Sequence, residues 1–283
     1  MGGFFGAVSA NDCVLDVFYG TDYHSHLGTR RGGMTSYSAE LGFQRNIHSI
    51  ENSPFRTKFE KDVEKMRGNI CIGCISDTDP QPIMVRSKLG LYAVCSIGII
   101  QNAKALSEDL LESGCANFET MSSGNINSGG LIGALIAQKP TFVEGIRYAQ
   151  SKIEGTMSLV IMTEDSIICA RDRAGKLPIL IGKRSDGYCF SFESFAYQKL
   201  GYETCHELKA GEITCLTKDG YEVLYEGTEE MKICTFLWTY YGYPTACYEG
   251  VNVEVMRTKN GEIMAERSEE HTSELQSHHD LVC

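Results

Sequence analysis

The chain has 283 residues, a length that allows one large domain or two ordinary ones, and 42% hydrophobic with 22% charged residues is an ordinary globular composition. Its formal net charge of −11 excludes a general binder of nucleic-acid backbones, which needs a basic face. The 12 cysteines are scattered, and neither a leader segment nor a membrane span is recognisable, so we expect a cytoplasmic protein with free thiols.

The first part of the chain predicts strands and helices in separate groups. A buried strand is expected at residues 3–8, and a helix then begins near residue 12 with Asn11 or Asp12 as its cap. A loop rich in Gly and Arg is predicted at residues 27–33. Helical spacing of apolar residues follows, and after it two buried strands and three helices. These elements are expected at residues 55–66, 69–75, 90–100, 103–111, 130–138 and 143–153.

From residue 157 the pattern changes to short strands separated by turn signals. They are expected at residues 157–162, 166–170, 179–182, 188–192 and 212–216. Strands, then helices, then more strands predict an α+β layered domain and not alternating βαβ units. The last residues, 267–283, have no apolar period and resemble a translated sequencing adapter. We interpret them as a non-native tail and exclude them from functional reasoning.

Several segments together resemble the amino-terminal half of the amidophosphoribosyltransferase family. Residues 170–179, ARDRAGKLPI, are similar to the ARDxxGxRPL segment of that family. Five further segments match family motifs in the same order: Arg31-Gly32 (HRGQ), residues 68–73 (GxxGIGH), 192–194 (SES), 208–212 (LxPGE) and 234–244 (CxFEYVYFARP). The resemblance covers residues 1 to about 266.

The resemblance implies a class II glutamine amidotransferase domain over residues 1–232. Its fold would be α+β, a four-layer αββα sandwich of the N-terminal-nucleophile hydrolase type. Residues 233–266 would then be a linker and the first elements of a truncated phosphoribosyltransferase domain. The acidic, Gly/Thr-rich pyrophosphate loop of that domain is absent from this sequence. The intact parent is expected to be a homo-oligomer.

Members of this family hydrolyse glutamine with a cysteine at the mature amino terminus, whose α-amine is the base. An Arg clamps the substrate carboxylate, an Asn and a Gly amide hold the oxyanion, and an Asp anchors the substrate amine. This chain matches only the glycine. The nucleophile position is Gly2, and the Arg position is Ser76. The Asn-Gly pair aligns with Ile97 and Gly98, and the Asp aligns with Asn127.

We therefore interpret the domain as a glutaminase scaffold without glutaminase chemistry, structural or regulatory in role. The chain is predicted to transfer no phosphoribosyl group either. One alternative is an active amidotransferase with an unrecognised nucleophile, for which Cys74 and Cys95 are the candidates. Another is a sensing domain that binds a different small molecule in the degenerate pocket.

Three other groups of residues are open to two interpretations each. Arg30, Arg31 and Gly32 could hold an anion, or the arginines could pair with acidic neighbours. Asp22, His24 and His26 could suggest a metal site, but a hydrogen-bonded loop fits the spacing better. Cys71 and Cys74 form a CxxC, yet a strand would place them on opposite faces as packed thiols. We predict no metal, cofactor, nucleic-acid or membrane partner.

Overall fold

The computed structural model of the chain describes residues 2–114, 118 and 126–270. Within it the chain forms two compact units, one ending at Cys234 and the other beginning at Thr235. The domain boundary expected from the sequence follows residue 232. The candidate site lies entirely in the first unit.

Strands of the first unit are joined into two antiparallel sheets. In chain order they are β1 Gly2–Ser9, β2 Arg31–Ser38, β3 Gly42–Ser49, β4 Ile70–Ser76, β5 Ile83–Ser87, β6 Gly90–Ile100, β7 Gly155–Met162, β8 Ile167–Ala170, β9 Leu180–Arg184, β10 Gly187–Ser191, β11 Glu203–Glu207, β12 Ile213–Leu216 and β13 Tyr221–Tyr225. The first sheet has the order β11-β9-β10-β1-β4-β2-β3, and the second has the order β13-β12-β8-β7-β6-β5. The amino-terminal strand is therefore central in its sheet.

Helices cover the outer face of each sheet. They are α1 Val14–Asp22, α2 Phe55–Val63, α3 Ala103–Glu112, α4 Ser128–Ile136, α5 Phe142–Lys152 and α6 Ser194–Gln198. Helices α1, α2 and α6 share one buried cluster with the first sheet, including Phe18, Phe55 and Tyr197. Helices α3, α4 and α5 share a second cluster with the other sheet, including Ile132 and Ile146.

The inner faces of the two sheets pack against each other, with β1 and β4 lying against β6 and β7. Phe4 of β1 makes edge-on contacts with Phe190 and Phe192, at centroid distances of 5.5 and 6.3 Å. Such contacts add to the stabilisation that burial of the rings already gives. The layers thus run helix, sheet, sheet, helix, which confirms the predicted α+β αββα sandwich.

Most sequence-predicted elements are present, and β6 spans the predicted residues 90–100. The predicted loop at residues 27–33 is partly wrong, because Arg31 already begins β2, which pairs with both β3 and β4. Gly32 and its neighbour Arg31 are therefore strand residues. The β2–β3 hairpin lacks the apolar alternation by which strands are recognised.

The second unit contains a short π-helical turn, a two-stranded ladder and a long helix. Their bounds are Leu237–Tyr241 for the turn, β14 Cys247–Tyr248, β15 Val251–Asn252 and α7 Val253–Glu270. Trp238 packs edge-on against Tyr248, and its indole N–H donates to the Val251 carbonyl at 3.1 Å. No helix among the described residues is both long and apolar enough to cross a membrane.

Candidate functional site

A cavity of about 160 Å³ opens where the start of β1 meets the facing sheet. Four of the five degenerate positions predicted from the sequence line it. The full lining is Gly2, Ile75, Ser76, Thr78, Ser96, Ile97, Gly98, Ile99, Thr156 and Leu177. A wider depression of about 770 Å³ between α1 and α2 contains none of the predicted site residues. The smaller cavity is therefore the candidate site.

Gly2 is packed so closely that position 2 has no room for a side chain. It pairs with Ser76 across the β1–β4 ladder. A Cβ atom built on Gly2 would lie 2.3 Å from the carbonyl oxygen of Ile75, a contact that real Cβ atoms do not make. Because the obstacle is backbone, β1 or β4 would have to move before any side chain could be placed there.

Ser76 is buried and fastens the turn that follows β4. Its hydroxyl accepts hydrogen bonds from the backbone N–H groups of Thr78 and Asp79, each at 3.2 Å. A serine at this point offers a neutral hydroxyl where a guanidinium would offer a fixed positive charge. The cavity thus has no positive charge at this position to bind a substrate carboxylate.

Gly98 keeps the backbone shape of the opposite wall, although its neighbour Ile97 offers no hydrogen-bond donor from its side chain. The φ of Gly98 is +141°, and a Cβ there would lie 2.0 Å from the carbonyl oxygen of Thr156. Only glycine suits both conditions. The wall therefore retains its backbone geometry while the side chain beside it is apolar.

The edge of β6 beside the cavity is held by a side-chain amide. The Gln81 amide donates from Nε2 to the Ser96 carbonyl at 3.0 Å, and its Oε1 accepts from the Ser96 N–H at 2.6 Å. One carboxamide thus satisfies both backbone polar groups of a buried strand residue.

Asn127, the fifth degenerate position, is not part of the cavity lining. Its side chain caps α4, with Oδ1 accepting from the Gly129 N–H at 2.8 Å and Nδ2 donating to the Pro80 carbonyl at 3.0 Å. The cap also ties α4 to the segment that follows the β4 turn. The residue therefore has a structural function in this chain.

Arg30, Arg31 and Gly32 also lie outside the cavity lining. Both arginines are exposed, and Gly32 is buried where a Cβ would meet the Phe55 ring at 2.6 Å. Burial by itself raises the pKa of the nearby Asp77 carboxyl. A hydrogen bond from the Thr29 N–H at 2.8 Å and the charge of Arg30 are among the interactions that outweigh burial, and that pKa is lowered. This supports the interpretation of Arg30 as a partner of an acidic neighbour.

The Asp22, His24 and His26 side chains are directed to separate partners. Asp22 pairs with Arg56 at 2.6 Å, and His26 pairs with the buried Glu193 at 2.8 Å. His24 is fully buried, and its Nδ1 lies 2.7 Å from the Gly20 carbonyl. Burial lowers the pKa of His24 to about 4, so the ring is neutral. No cluster of three or more metal-ligating side chains occurs in the ranges described above.

The buried thiols do not have the environment of a nucleophile. Cys71, Cys74 and Cys95 are buried and free. Contact with the Cys74 thiol, and then burial, raises the pKa of Cys95, and burial raises that of Cys71. A raised pKa removes the thiolate that attack requires. Cys71 belongs to the cluster beneath α1 and α2, as packing on a strand face predicts.

The motif that carries the strongest sequence resemblance forms scaffold next to the cavity. The buried Arg171 guanidinium donates to the carbonyls of Leu208 and Gly175. The Asp172 carboxylate accepts from the Leu177 N–H at 2.8 Å, and the Ser158 hydroxyl donates to the Leu177 carbonyl at 2.9 Å. These bonds fix Leu177, a wall residue that sequence reasoning did not identify.

The other cavity residues missed by sequence reasoning are Ile75, Thr78, Ser96, Ile99 and Thr156. All but Thr156 lie within two residues of a predicted pocket position, in the segments aligned with the family, but the alignment assigns them no role. Thr156, on β7, is marked by no motif. Ser96 and Thr156 are polar residues next to apolar ones in predicted strands, which is the only signal that could have singled them out. Their position at the cavity depends on how the two sheets face each other.

Comparison with known proteins connects this geometry to one group of enzymes. Residues 66–198 match the family model described as a glutamine amidotransferase domain. The amidophosphoribosyltransferase of Archaeoglobus fulgidus is 25% identical over 262 residues, covering 89% of this chain and 56% of the relative. That of Staphylococcus aureus strain MRSA252 is 29% identical over 225 residues, covering 78% and 42%. The chain thus spans about half the length of these curated relatives.

Solved structures agree at the level of the fold. The glutamine phosphoribosylpyrophosphate amidotransferase of B. subtilis, complexed with ADP and GMP, superposes with a TM-score of 0.82 at 23% identity. The match covers 93% of this chain and 58% of that one. A glutamine aminotransferase class-II domain protein from Silicibacter pomeroyi gives 0.54 at 11% identity, covering 80% and 99%. The αββα sandwich is therefore of the N-terminal-nucleophile type found in glutamine amidotransferases.

Proposed function

Because the chain carries a glutamine amidotransferase domain resembling that of the amidophosphoribosyltransferases, we propose that this domain is a scaffold without glutaminase activity. Its role is structural or regulatory within a longer parent protein. The observation that carries the proposal is the composition of the cavity. None of its ten lining residues has an ionisable side chain.

Each step of glutamine hydrolysis lacks a group that would perform it. The covalent route needs a nucleophile, and Gly2 has neither a side chain nor room for one. Glutamine also carries an α-carboxylate and an α-ammonium group. An unpaired charge moved out of water costs several kcal/mol, and Ser76 provides no counter-charge for the carboxylate.

Stabilisation of the oxyanion by hydrogen-bond donors is the remaining requirement. Losing one oxyanion donor costs about 10²–10³ in rate, and Ile97 stands where the donor side chain is expected. The retained Gly98 supports the view that the domain keeps the family backbone while its chemistry is lost. Asn127 supports it as well, because its Oδ1 already caps α4 and its Nδ2 already donates to the Pro80 carbonyl.

Residues 233–266 are proposed to be the linker and first elements of a phosphoribosyltransferase domain. The parent would then obtain its nitrogen from free ammonia or another amine donor, since the glutaminase half would not supply it. The chain as given would transfer no phosphoribosyl group.

A glutaminase assay on the purified chain tests the proposal. We expect no glutamate above the buffer background at millimolar glutamine, with the B. subtilis relative as the positive control. Saturable glutamate release would overturn the proposal.

An electrophilic glutamine analogue that labels one cysteine, detected by intact mass and peptide mapping, would identify the unrecognised nucleophile. The burial of Cys74 and Cys95 is the reason to expect no label on either.

A further inference from the structure

The cavity at the start of β1 is uncharged but not apolar, and this combination selects a class of ligand. We propose that it binds a small uncharged molecule with one hydrogen-bonding group, such as a short primary amide or alcohol, and excludes amino acids. The inference rests on the proposed function, because it assumes that the cavity is no longer a glutaminase site.

The lining contains no ionisable side chain, and the two carboxylates beside it in the chain already have partners. Asp77 and Asp79 flank the lining residue Thr78 in the chain. Asp77 Oδ1 accepts from the Thr29 N–H at 2.8 Å, and Asp79 Oδ2 accepts from the Ser128 N–H at 3.1 Å. A ligand carboxylate would find no cation in the lining. Both aspartates are already engaged, so neither is free to pair with a ligand ammonium group.

The polar groups that line the cavity are hydroxyls, which both donate and accept hydrogen bonds. The Ser76 hydroxyl accepts two backbone bonds and lies 3.4 Å from the Thr78 hydroxyl, so one of these two hydroxyls donates to the other. Ser96 is buried, and its hydroxyl has no hydrogen-bond partner within residues 2–114 and 126–270. Thr156 Oγ1 accepts from the Ile99 N–H at 3.4 Å and likewise keeps a proton to donate. An amide or hydroxyl group matches such a surface.

The rest of the wall is aliphatic and sets the size of the ligand. Ile75, Ile97, Ile99 and Leu177 line it. A volume of 160 Å³ corresponds to roughly five water molecules, so a molecule of a few carbon atoms fits. Burying each methylene group against this wall strengthens binding about fourfold. The ligand that fits this cavity is thus short and partly aliphatic.

Four probes of equal length separate charge from shape: butyramide, 1-butanol, butyrate and n-butylammonium. Saturation-transfer NMR on the full chain measures binding of each. We expect butyramide or 1-butanol to bind at millimolar concentration, and butyrate and n-butylammonium at least about tenfold more weakly. Equal or tighter binding of either ion, or no binding of any probe, would overturn the inference.

A variant at the cavity mouth connects binding to this cavity. Ile99 lines it and is 69% exposed, so Ile99→Trp should fold and block entry. Leu41→Trp is the matched control, since Leu41 is 49% exposed at the β2–β3 turn and does not line the cavity. We expect the first variant to lose the saturation-transfer signal and the second to keep it; equal signals in both would contradict the assignment.

Ser96→Ala, which removes a hydroxyl without adding volume, should weaken the binding of butyramide several-fold.

Different experimental results would overturn the proposed function and the proposed ligand class. Saturable glutamate release would overturn the proposed function together with this inference. No glutamate release combined with no butyramide or butanol binding would overturn this inference alone.

Discussion

His24 shows how a single buried side chain couples the stability of the fold to pH. Its Nδ1 lies 2.7 Å from the Gly20 carbonyl of α1, and its Nε2 is 3.2 Å from the Ser191 hydroxyl. Burial disfavours the charged imidazolium, and the nearby Glu193 carboxylate only partly compensates. Folding therefore favours the neutral ring.

We predict that stability falls as the pH drops from 6.5 toward 4, the interval between the unfolded pKa and the folded pKa of about 4 for His24. Because the folded pKa is depressed, the unfolded state binds the proton first, and the full stability is present only above pH 6.5. The loss amounts to about 3 kcal/mol. Urea denaturation at several pH values measures it, and His24→Phe should flatten the curve over this interval. An NMR titration that finds a pKa near 6.5 for the folded ring would contradict the prediction.

Gly2 illustrates a residue whose identity is enforced by backbone contact. We predict that Gly2→Cys restores no glutaminase activity and destabilises the fold by about 1–3 kcal/mol, the usual cost of overpacking. Gly220→Cys is the matched control, because a Cβ at Gly220 meets nothing within 4 Å. Urea midpoints of the two variants give the comparison. Glutamate release by Gly2→Cys, or equal stability of the pair, would show that β1 can move aside.

At the scale of elements, α4 depends on a cap that has two functions. Asn127 satisfies the helix N-terminus and also holds the Pro80 carbonyl, whereas Thr141 caps α5 only by accepting from the Glu144 N–H at 3.2 Å. The two helices lie in the same outer layer. They therefore form a natural pair for comparing a buried cap with an exposed one.

We predict that Asn127→Ala lowers the free energy of unfolding by about 2 kcal/mol and Thr141→Ala by about 1 kcal/mol. The difference arises because the first substitution also leaves the Pro80 carbonyl without its donor. Chemical denaturation of both variants measures the two losses. An equal or smaller loss at Asn127 would mean that water replaces the amide.

The elements differed in how well the sequence predicted them, for physical reasons. Strand β6 was predicted with correct bounds because its apolar run is continuous, and α5 was predicted within a residue at each end by its helical spacing. The β2–β3 hairpin was missed because polar residues occupy both of its faces, so no alternation marks it. Strand β5 was missed as well. Only pairing with β6 distinguishes its five residues from a loop.

At the scale of the whole molecule, each sheet of the first unit has its own helical cover and its own buried cluster. Both clusters are made of residues between Phe5 and Ile213, well inside the unit that ends at Cys234. A domain of this size buries enough apolar surface to fold independently.

We therefore predict that residues 1–234 fold cooperatively when expressed alone. Their urea midpoint should match that of the corresponding transition in the full chain. Circular dichroism and urea denaturation provide the measurement. A fragment with helical signal but no cooperative transition would show that the second unit is needed for the first to fold.

The candidate site was less predictable than the fold, because it is assembled from distant parts of the chain. The resemblance identified Gly2, Ser76 and Gly98 as equivalent positions, and the structure brings all three into one cavity. It also identified Asn127, which caps a helix instead. Thr156 and Leu177 were not identified, since their places depend on sheet packing and on the bonds around Asp172. Motif reasoning finds positions that a family shares, but not the wall that surrounds them.

The two hydrogen bonds between Gln81 and Ser96 protect part of an exposed sheet edge. Strand β5 pairs with β6 only as far as Val94, so the next part of β6 is a sheet edge. An open edge recruits strands from other molecules and begins aggregation. The Gln81 side chain has the same donor and acceptor as a peptide group, and it occupies both positions at Ser96. Gln81 therefore closes the Ser96 position of this edge to strand addition from another molecule.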